Sequence, residues 1–377
     1  MQNRKASKSR AFLLLNLFFA FTFFLMCVII SNMSRVVSIG NVNIGGNNKV
    51  AIQSMATFKI ADTVRAAEEC KRLKENGLDI MRFSVTDEKD AAAFATVKKL
   101  SGVPLVADIH FDYKLALKSI EGGADKIRIN PGNIGGEDKV KQVALALKSA
   151  NIPVRVGSNT GSIDKDFLLK YGKNEVSLGE SALKNVAILE KYGVDNIVVS
   201  VKASDVALTV KAYEYIAKKT DYPLHLGVTE AGTEYNGVVK NSIGIGSLLL
   251  NGIGDTIRVS LSADTLREVV AAKAILSAVG LREDVKIIAC PTCGRCEWDC
   301  MAFAKKVEEY TGKISKPLKI AVMGCVVNGP GEAADADLGI AGGKDCCVIF
   351  NKGKIIKKVS KEQAEKEFFG EIDKCTQ

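Results

Sequence analysis

VAIQSMATFKIADTVRAAEECKRLKENGLDIMRFSV (50–85) is the stretch on which the fold turns. Its two ends, VAIQS (50–54) and DIMRFSV (79–85), are short apolar runs that finish in polar or charged residues. Between them, ADTVRAAEECKRLKENG (61–77) spaces its apolar residues as one face of a helix and stops at a glycine. The strand–helix unit then recurs. Further strand-like runs are PLVADIH (104–110), KIRIN (126–130), IPVRVGS (152–158), NIVVSVK (196–202), PLHLGVT (223–229) and DTIRVSL (255–261). DKVKQVALALKSA (138–150) and SALKNVAILEKYG (181–193) are among the helical segments between them. Eight strands alternating with helices over this length predict a (β/α)8 TIM barrel. An open doubly wound sheet is the competitor, but VAIQSMATF carries no GxGxxG after the first strand.

From about residue 285 the pattern changes. KIIAC (286–290), LKIAVMGC (318–325), LGIAG (338–342), CCVIF (346–350) and KIIKKV (354–359) read as strands. EWDCMAFAKKVEEYTG (297–312) and KEQAEKEFFGEI (361–372) read as helices. The expected organisation is a barrel over 33–282 followed by a small α/β domain over 283–377, in keeping with 377 residues at roughly 150 per domain. The hydrophobic share of 47% against 25% charged excludes a disordered chain. The net charge is +9, and Arg4, Lys5, Lys8 and Arg10 supply four of those positives. No basic block with interleaved aromatics is present, which argues against nucleic acid, whereas a mildly positive body suits an anionic small substrate.

Residues 1–32 stand apart. AFLLLNLFFAFTFFLMCVII (11–30) is long enough to span a bilayer, with the basic residues before it on the cytoplasmic side. No small-residue cleavage site closes the run, so an anchor suits it better than a signal peptide. The competing reading is a chain that starts at Met33, and on that reading the protein is cytoplasmic and meets no membrane.

In a barrel the strand C-terminal ends face the active site. Here they carry Arg82, Asp108 and His110, Arg128 and Asn130, Arg155 and Asn159, Lys202, His225 with Thr229 and Glu230, and Arg258 and Ser260. Any one such arginine is as readily a surface ion pair. Five basic groups at one mouth repel unless an anion neutralises them, and the guanidinium fork grips two phosphate oxygens. A phosphate or diphosphate ligand is expected, with NPGNIGG (130–136) offering main-chain N–H groups ahead of a helix. The chain has only two histidines, His110 and His225. Asp108 and His110, two apart, share one side of a strand, which makes proton transfer or substrate orientation plausible.

Five of the ten cysteines fall between 290 and 325, and none between 71 and 289. Clustering of this kind in an enzyme-sized chain reads as a metal or iron–sulfur site in a reducing compartment. CPTCGRCEWDC spaces Cys290, Cys293, Cys296 and Cys300 as in a bacterial ferredoxin, although Met301 stands where that run has proline. MGCVVNGPGEA offers a second set, Cys290 and Cys293 with Cys325 and Glu332, the last two brought together by the Gly–Pro turn. Read locally, the two sets compete, and zinc competes with a four-iron cluster.

These motifs resemble, in order and over most of the chain from about residue 36, the family of 4-hydroxy-3-methylbut-2-enyl diphosphate synthases. The carrying stretches are SIGNVNIGG (38–46), QSM (53–55), DIMRFSV, ADIHF (107–111), RINPGNIG (128–135), PVRVGSNTGS (153–162), LGVTEAG (226–232), GIGDTIRVSLS (252–262), CPTCGR (290–295) and GCVVNGPGEA (324–333). The resemblance implies a TIM barrel followed by a small α/β iron–sulfur domain. It also implies one [4Fe-4S] cluster per subunit, on Cys290, Cys293, Cys325 and Glu332. A carboxylate is a harder, more labile ligand than a thiolate, which suits a cluster that meets substrate. The implied reaction is the two-electron reductive opening of 2-C-methyl-D-erythritol 2,4-cyclodiphosphate in isoprenoid precursor synthesis, with reduced ferredoxin or flavodoxin as donor. Arg82, Arg128, Arg155, Lys202 and Arg258, with Asn130, Asn159 and Ser260, would bind the cyclic diphosphate. Asp108, His110 and Glu230, the last foremost, would supply the proton that turns the departing hydroxyl into water.

Two departures stand out: ATFKI (56–60) replaces a usually polar stretch after QSM, and Cys296 replaces a usual threonine. The connector GLREDVK (280–286) spans at most about 25 Å, too little to fold the small domain over its own barrel mouth. A head-to-tail homodimer with composite sites is therefore expected. The rival function is a zinc-stabilised barrel transferase or aldolase acting on a phosphorylated substrate.

Overall fold

A computed structural model describes residues 33–376 except 313 and 315, so the apolar run 11–30 lies outside the described residues. Among the described residues no helix is long and apolar enough to cross a membrane. The chain divides into two compact units, at Leu276/Ser277.

The first unit is the expected barrel. Its strands are β3 (Ala51–Met55), β4 (Ile80–Ser84), β5 (Leu105–Asp108), β6 (Lys126–Ile129), β7 (Val154–Asn159), β8 (Ile197–Lys202), β9 (His225–Leu226) and β10 (Thr256–Ile257). All pair in parallel in the order β8-β7-β6-β5-β4-β3-β10-β9. A parallel bridge between Val199 and Leu224 joins β8 to β9 and closes the ring. Helices α1 (Thr63–Glu75), α2 (Glu88–Ala92), α3 (Phe94–Ser101), α4 (Tyr113–Glu121), α5 (Glu137–Ala150), α6 (Lys165–Tyr171), α7 (Glu175–Lys191), α8 (Val206–Ala217), α9 (Glu234–Leu250) and α10 (Thr265–Ala278) follow the strands. Asp62, Asp87, Asp112, Asp164 and Asp205, with Asn174, accept hydrogen bonds from first-turn N–H groups and fix where helices begin.

An unexpected hairpin, β1 (Val37–Ile39) and β2 (Val42–Ile44), precedes the barrel. Its Val37, Ile39 and Ile44 pack on Ala51, Ile80, Val106 and Val198, each the first or second residue of a barrel strand. The hairpin therefore plugs the N-terminal end and leaves the C-terminal end as the mouth. Strands β9 and β10 pair over two residues each, shorter than their seven-residue apolar runs. Gly227 turns out of the ladder at φ +157°, and a Cβ there would strike the Arg258 carbonyl and the Lys202 Nζ. The absence of a side chain at Gly227 leaves room for the Lys202 amine and the Arg258 main chain.

The second unit is a five-stranded sheet in the order β11 (Lys286–Ala289), β12 (Lys319–Met323), β13 (Leu338–Gly342), β14 (Cys346–Asn351), β15 (Lys354–Ser360). The first three strands run parallel and the last two antiparallel. Helices α11 (Cys300–Thr311) and α13 (Ala364–Thr376) contribute Phe303, Val307, Phe368 and Ile372 to its core. Trp298 lies against Gly342, where any Cβ would strike the indole, and its Nε1 donates to the Met323 carbonyl at 3.1 Å.

Candidate functional site

Strand alternation builds the mouth. Residues two apart point the same way, so Gln53 and Met55, Lys126 and Arg128, Arg155 and Asn159, Ser200 and Lys202, and Thr256 and Arg258 stack inward in layers. A cavity of about 180 Å³ opens there, lined by Arg82, Arg128, Arg155, Lys202 and Arg258, with Asp108, His110 and Asn159 also on its wall. The five basic residues expected to converge do so.

The charges do not balance. Among the described residues, Asp108 and Glu268 are the carboxylates paired with these cations. Asp108 Oδ1 accepts from Arg128 Nη1 at 3.0 Å, and its Oδ2 lies 3.5 Å from Arg82 Nε. Glu268, on α10, accepts from Arg258 Nη2 at 2.9 Å, Ser54 Oγ at 2.6 Å and Leu261 N–H at 3.0 Å. Lys126, one layer below Arg128, is a sixth basic side chain, fully buried. Arg155 is 2% exposed, and its Nε and Nη1 have no hydrogen-bond partner among the described residues. Burying a guanidinium without a counter-ion costs several kcal/mol, so this lining suits an anionic ligand.

The electrostatics follow from this crowding. Burial alone would raise the Asp108 carboxyl, but Arg82, Arg128 and Arg155 outweigh it and hold it at about 2. The same cations favour the ionised form of Asp108, which pairs with two arginines. Burial, then the neighbouring cations, pushes the Lys202 amine well below the ordinary lysine range. Burial lowers Arg82 to about 10, still charged at neutral pH. His225 is fully buried, with Nδ1 at 2.5 Å from Thr256 Oγ1, and burial keeps its ring neutral. It sits inside the barrel and does not line the cavity.

Three expected residues lie off the cavity wall. Asn130 Oδ1 accepts from Gly132 N–H at 3.2 Å and Asn185 Nδ2 at 3.3 Å, so its side chain ties the 130–136 loop to α7. Ser260 Oγ accepts from Arg258 Nη1 at 3.2 Å and steadies that guanidinium. Glu230 is exposed on the loop after β9, with φ +52°. The altered loop 56–60 is packed rather than polar: Ile60 is fully buried, Phe58 meets Phe83 edge-on, and the Arg65 guanidinium covers the Phe58 ring at 4.1 Å. Lys126 and Glu268 were not anticipated. Lys126 was readable from its place two before Arg128, whereas Glu268 reaches the mouth from a helix and leaves no mark in the strand pattern.

In the second unit, Cys290 follows β11 and Cys325 lies just past β12, its parallel neighbour. Cys290 N–H donates to the Val322 carbonyl at 2.9 Å, which pins the two strand ends together. Cys293 is exposed on the turn closed by Cys296 N–H to Cys293 O, at 2.9 Å. The short helix α12 (Gly329–Glu332) carries Glu332 at its end, exposed to solvent. Cys300 is different: it is buried in the apolar core, its Sγ 3.6 Å from the Val322 carbonyl, and burial pushes its thiol up to about 12. Cys296 Sγ donates to the Trp298 carbonyl at 3.2 Å. Among the described residues no three His, Cys, Asp or Glu side chains converge as a single metal ion needs. A four-iron cube is wider than one ion; of the candidate ligands, Cys290 packs against the core at the end of one strand, Cys325 lies just past the adjoining strand, and Cys293 and Glu332 are exposed.

Comparisons with known proteins identify the family. The GcpE TIM-barrel domain matches residues 34–273, and the GcpE protein C-terminal domain matches residues 286–374. A 4-hydroxy-3-methylbut-2-en-1-yl diphosphate synthase (flavodoxin) of Caldanaerobacter subterraneus subsp. tengcongensis is 54% identical over 344 residues, covering 91% of this chain and 97% of the relative. The enzyme of the same name from Bacillus subtilis is 52% identical over 342 residues, covering 90% and 91%. That of Geobacillus thermodenitrificans is 50% identical over 352 residues, covering 93% and 94%. Two family domains in sequence and identities of half or more over nine-tenths of the chain leave one assignment: this chain belongs to the GcpE family of 4-hydroxy-3-methylbut-2-en-1-yl diphosphate synthases.

Proposed function

We propose that this chain catalyses the two-electron reductive ring opening of 2-C-methyl-D-erythritol 2,4-cyclodiphosphate to 4-hydroxy-3-methylbut-2-enyl diphosphate and water. The observation that carries the reading is the buried Arg155, two of whose nitrogens have no partner among the described residues, in a mouth where five basic side chains meet two carboxylates. A cyclic diphosphate supplies the missing negative charge. Arg155, Arg128, Arg82 and Arg258 grip its phosphate oxygens, Lys202 and Asn159 complete the grip, and Asp108 and Glu268 hold the guanidinium planes in place. Asn130 and Ser260 act through the loop and the arginine that they tether.

Cys290, Cys293, Cys325 and Glu332 are the proposed ligands of one [4Fe-4S] cluster. The choice rests on Cys300 being a core thiol and on the chemistry of a three-thiolate, one-carboxylate set. When bound, the cluster supplies electrons one at a time. Electrons reach it from flavodoxin, the donor in the relatives' names, or from ferredoxin. With Asp108 held ionised, the proton for the departing hydroxyl falls to Glu230 or to His110, both exposed to solvent. The homodimer suggested by the short connector belongs to the same proposal.

The test is anaerobic turnover. Protein loaded with iron and sulfide, given reduced flavodoxin and the cyclodiphosphate, should form the allylic diphosphate. A colourless protein that carries zinc and leaves the cyclodiphosphate untouched overturns the reading.

A further inference from the structure

One side-chain layer below the mouth, the barrel interior holds Gln53, Lys126, His225 and Thr256, each at most 1% exposed. Barrels ordinarily fill such layers with branched apolar residues. This layer is also poorly satisfied: Gln53 Nε2 and His225 Nε2 have no hydrogen-bond partner among the described residues, and Lys126 Nζ reaches Gln53 Oε1 at 3.3 Å. An ammonium in that position would face Arg155 from β7 and Arg82 from β4, both positive, with His225 from β9 and Gln53 from β3 the remaining polar neighbours. A charged lysine without a carboxylate, beside two guanidinium groups, is the most expensive state available to it.

Resting on the function proposed above, we propose that Lys126 is the proton-uptake site of substrate binding: a neutral amine in the empty barrel, it takes one proton from solvent when the diphosphate settles on the arginines above it. The balance is simple. The amine becomes an ammonium, no bond to carbon changes, and the charge gained below offsets part of the negative charge brought in above. Burial first, then Arg155 and Arg82, drives the Lys126 amine well below the ordinary lysine range, in agreement with the geometry. The cyclic ligand brings no proton of its own near neutrality, because each phosphorus carries one ester oxygen, the shared anhydride oxygen and a single strongly acidic hydroxyl that is already ionised. Lys126 is a positioning residue here, acting through the field at Arg155 rather than by contact with substrate.

Calorimetry tests this on the oxidised, cluster-loaded protein under anaerobic conditions without reductant, so that the cyclodiphosphate binds and is not consumed. Titrations at pH 8 in buffers of different ionisation enthalpy give the number of protons exchanged. The wild type should take up close to one proton per site. Lys126→Met should take up close to none, and its affinity should lose the roughly tenfold-per-pH-unit fall expected on the alkaline side of a linked proton. Lys126→Gln, which keeps a polar head beside Gln53, should behave as Lys126→Met does. Binding by the wild type without proton uptake overturns the proposal. So does uptake that persists in both variants, which would assign it to Lys202. No binding at all by the wild type overturns the proposed function with it.

Discussion

Replacing Arg155 by methionine should harm activity and help stability. The guanidinium is buried, and its Nε and Nη1 have no partner among the described residues. In the complex those two N–H groups meet phosphate oxygens, each as a charge-assisted hydrogen bond of about 1.5–3 kcal/mol. Losing both removes about 3–6 kcal/mol, which at 1.4 kcal/mol per decade is a loss of about 10²–10⁴ in kcat/KM. In the free protein the sign reverses. Methionine fills much the same volume without a charge to desolvate, Asp108 keeps Arg82 and Arg128, and the gain is about 1–4 kcal/mol. Anaerobic steady-state kinetics and thermal melts by far-UV circular dichroism read the two effects separately, with a Tm rise of about 2–4 °C per kcal/mol. An unchanged kcat/KM, or a Tm that falls with the activity, refutes the claim that this arginine is held unpaired for a ligand.

Cys325→Ser should lose most of its iron when purified without oxygen, while Cys296→Ser keeps it; the reverse pattern would return the compact cysteine run to favour. Asp108, held at about 2 against an ordinary 3.8, contributes stability in full above about pH 4 and loses it as pH falls toward 2. Asp108→Asn should therefore lower the Tm of cluster-free protein at pH 7 and flatten its acid limb, as a pH series of melts would record. Glu268→Gln leaves Arg258 without its buried carboxylate, and chemical denaturation should register a loss of about 3–5 kcal/mol.

The barrel was legible because each strand advertises itself twice, as an apolar run and as a polar terminus. All eight runs hold a strand. The runs around His225 and Thr256 overstate theirs, because apolar residues persist past Gly227 and Ile257 while the backbone leaves the ladder. The plug hairpin had a readable form, VSI and VNI around Gly40-Asn41, a pair that suits a tight turn. It escaped because its three-residue strands pair only with each other. In the mouth, the basic residues were visible as side chains at strand ends, whereas the imbalance that gives them meaning was not. That needed the burial of Arg155 and Lys126 and the arrival of Glu268 from α10. The cysteine spacing left two ligand sets open for the same reason: only burial distinguishes Cys300, a core thiol, from its neighbours along the run.

The chain has one tryptophan, Trp298, and it sits in the small unit, seated on Gly342 and bonded to the Met323 carbonyl. Seven of the eight tyrosines precede residue 277, in the barrel unit, and only Tyr310 lies beyond it. The protein thus carries two intrinsic fluorophores assigned to two bodies. Emission excited at the red edge of the near-ultraviolet reports the small unit alone, and tyrosine emission reports almost entirely the barrel. Trp298 also neighbours Cys296, whose Sγ donates to its carbonyl. A chromophore assembled on the adjoining cysteines would drain its excited state by resonance energy transfer. Loading can then be followed as a loss of light, with no added dye and no turnover.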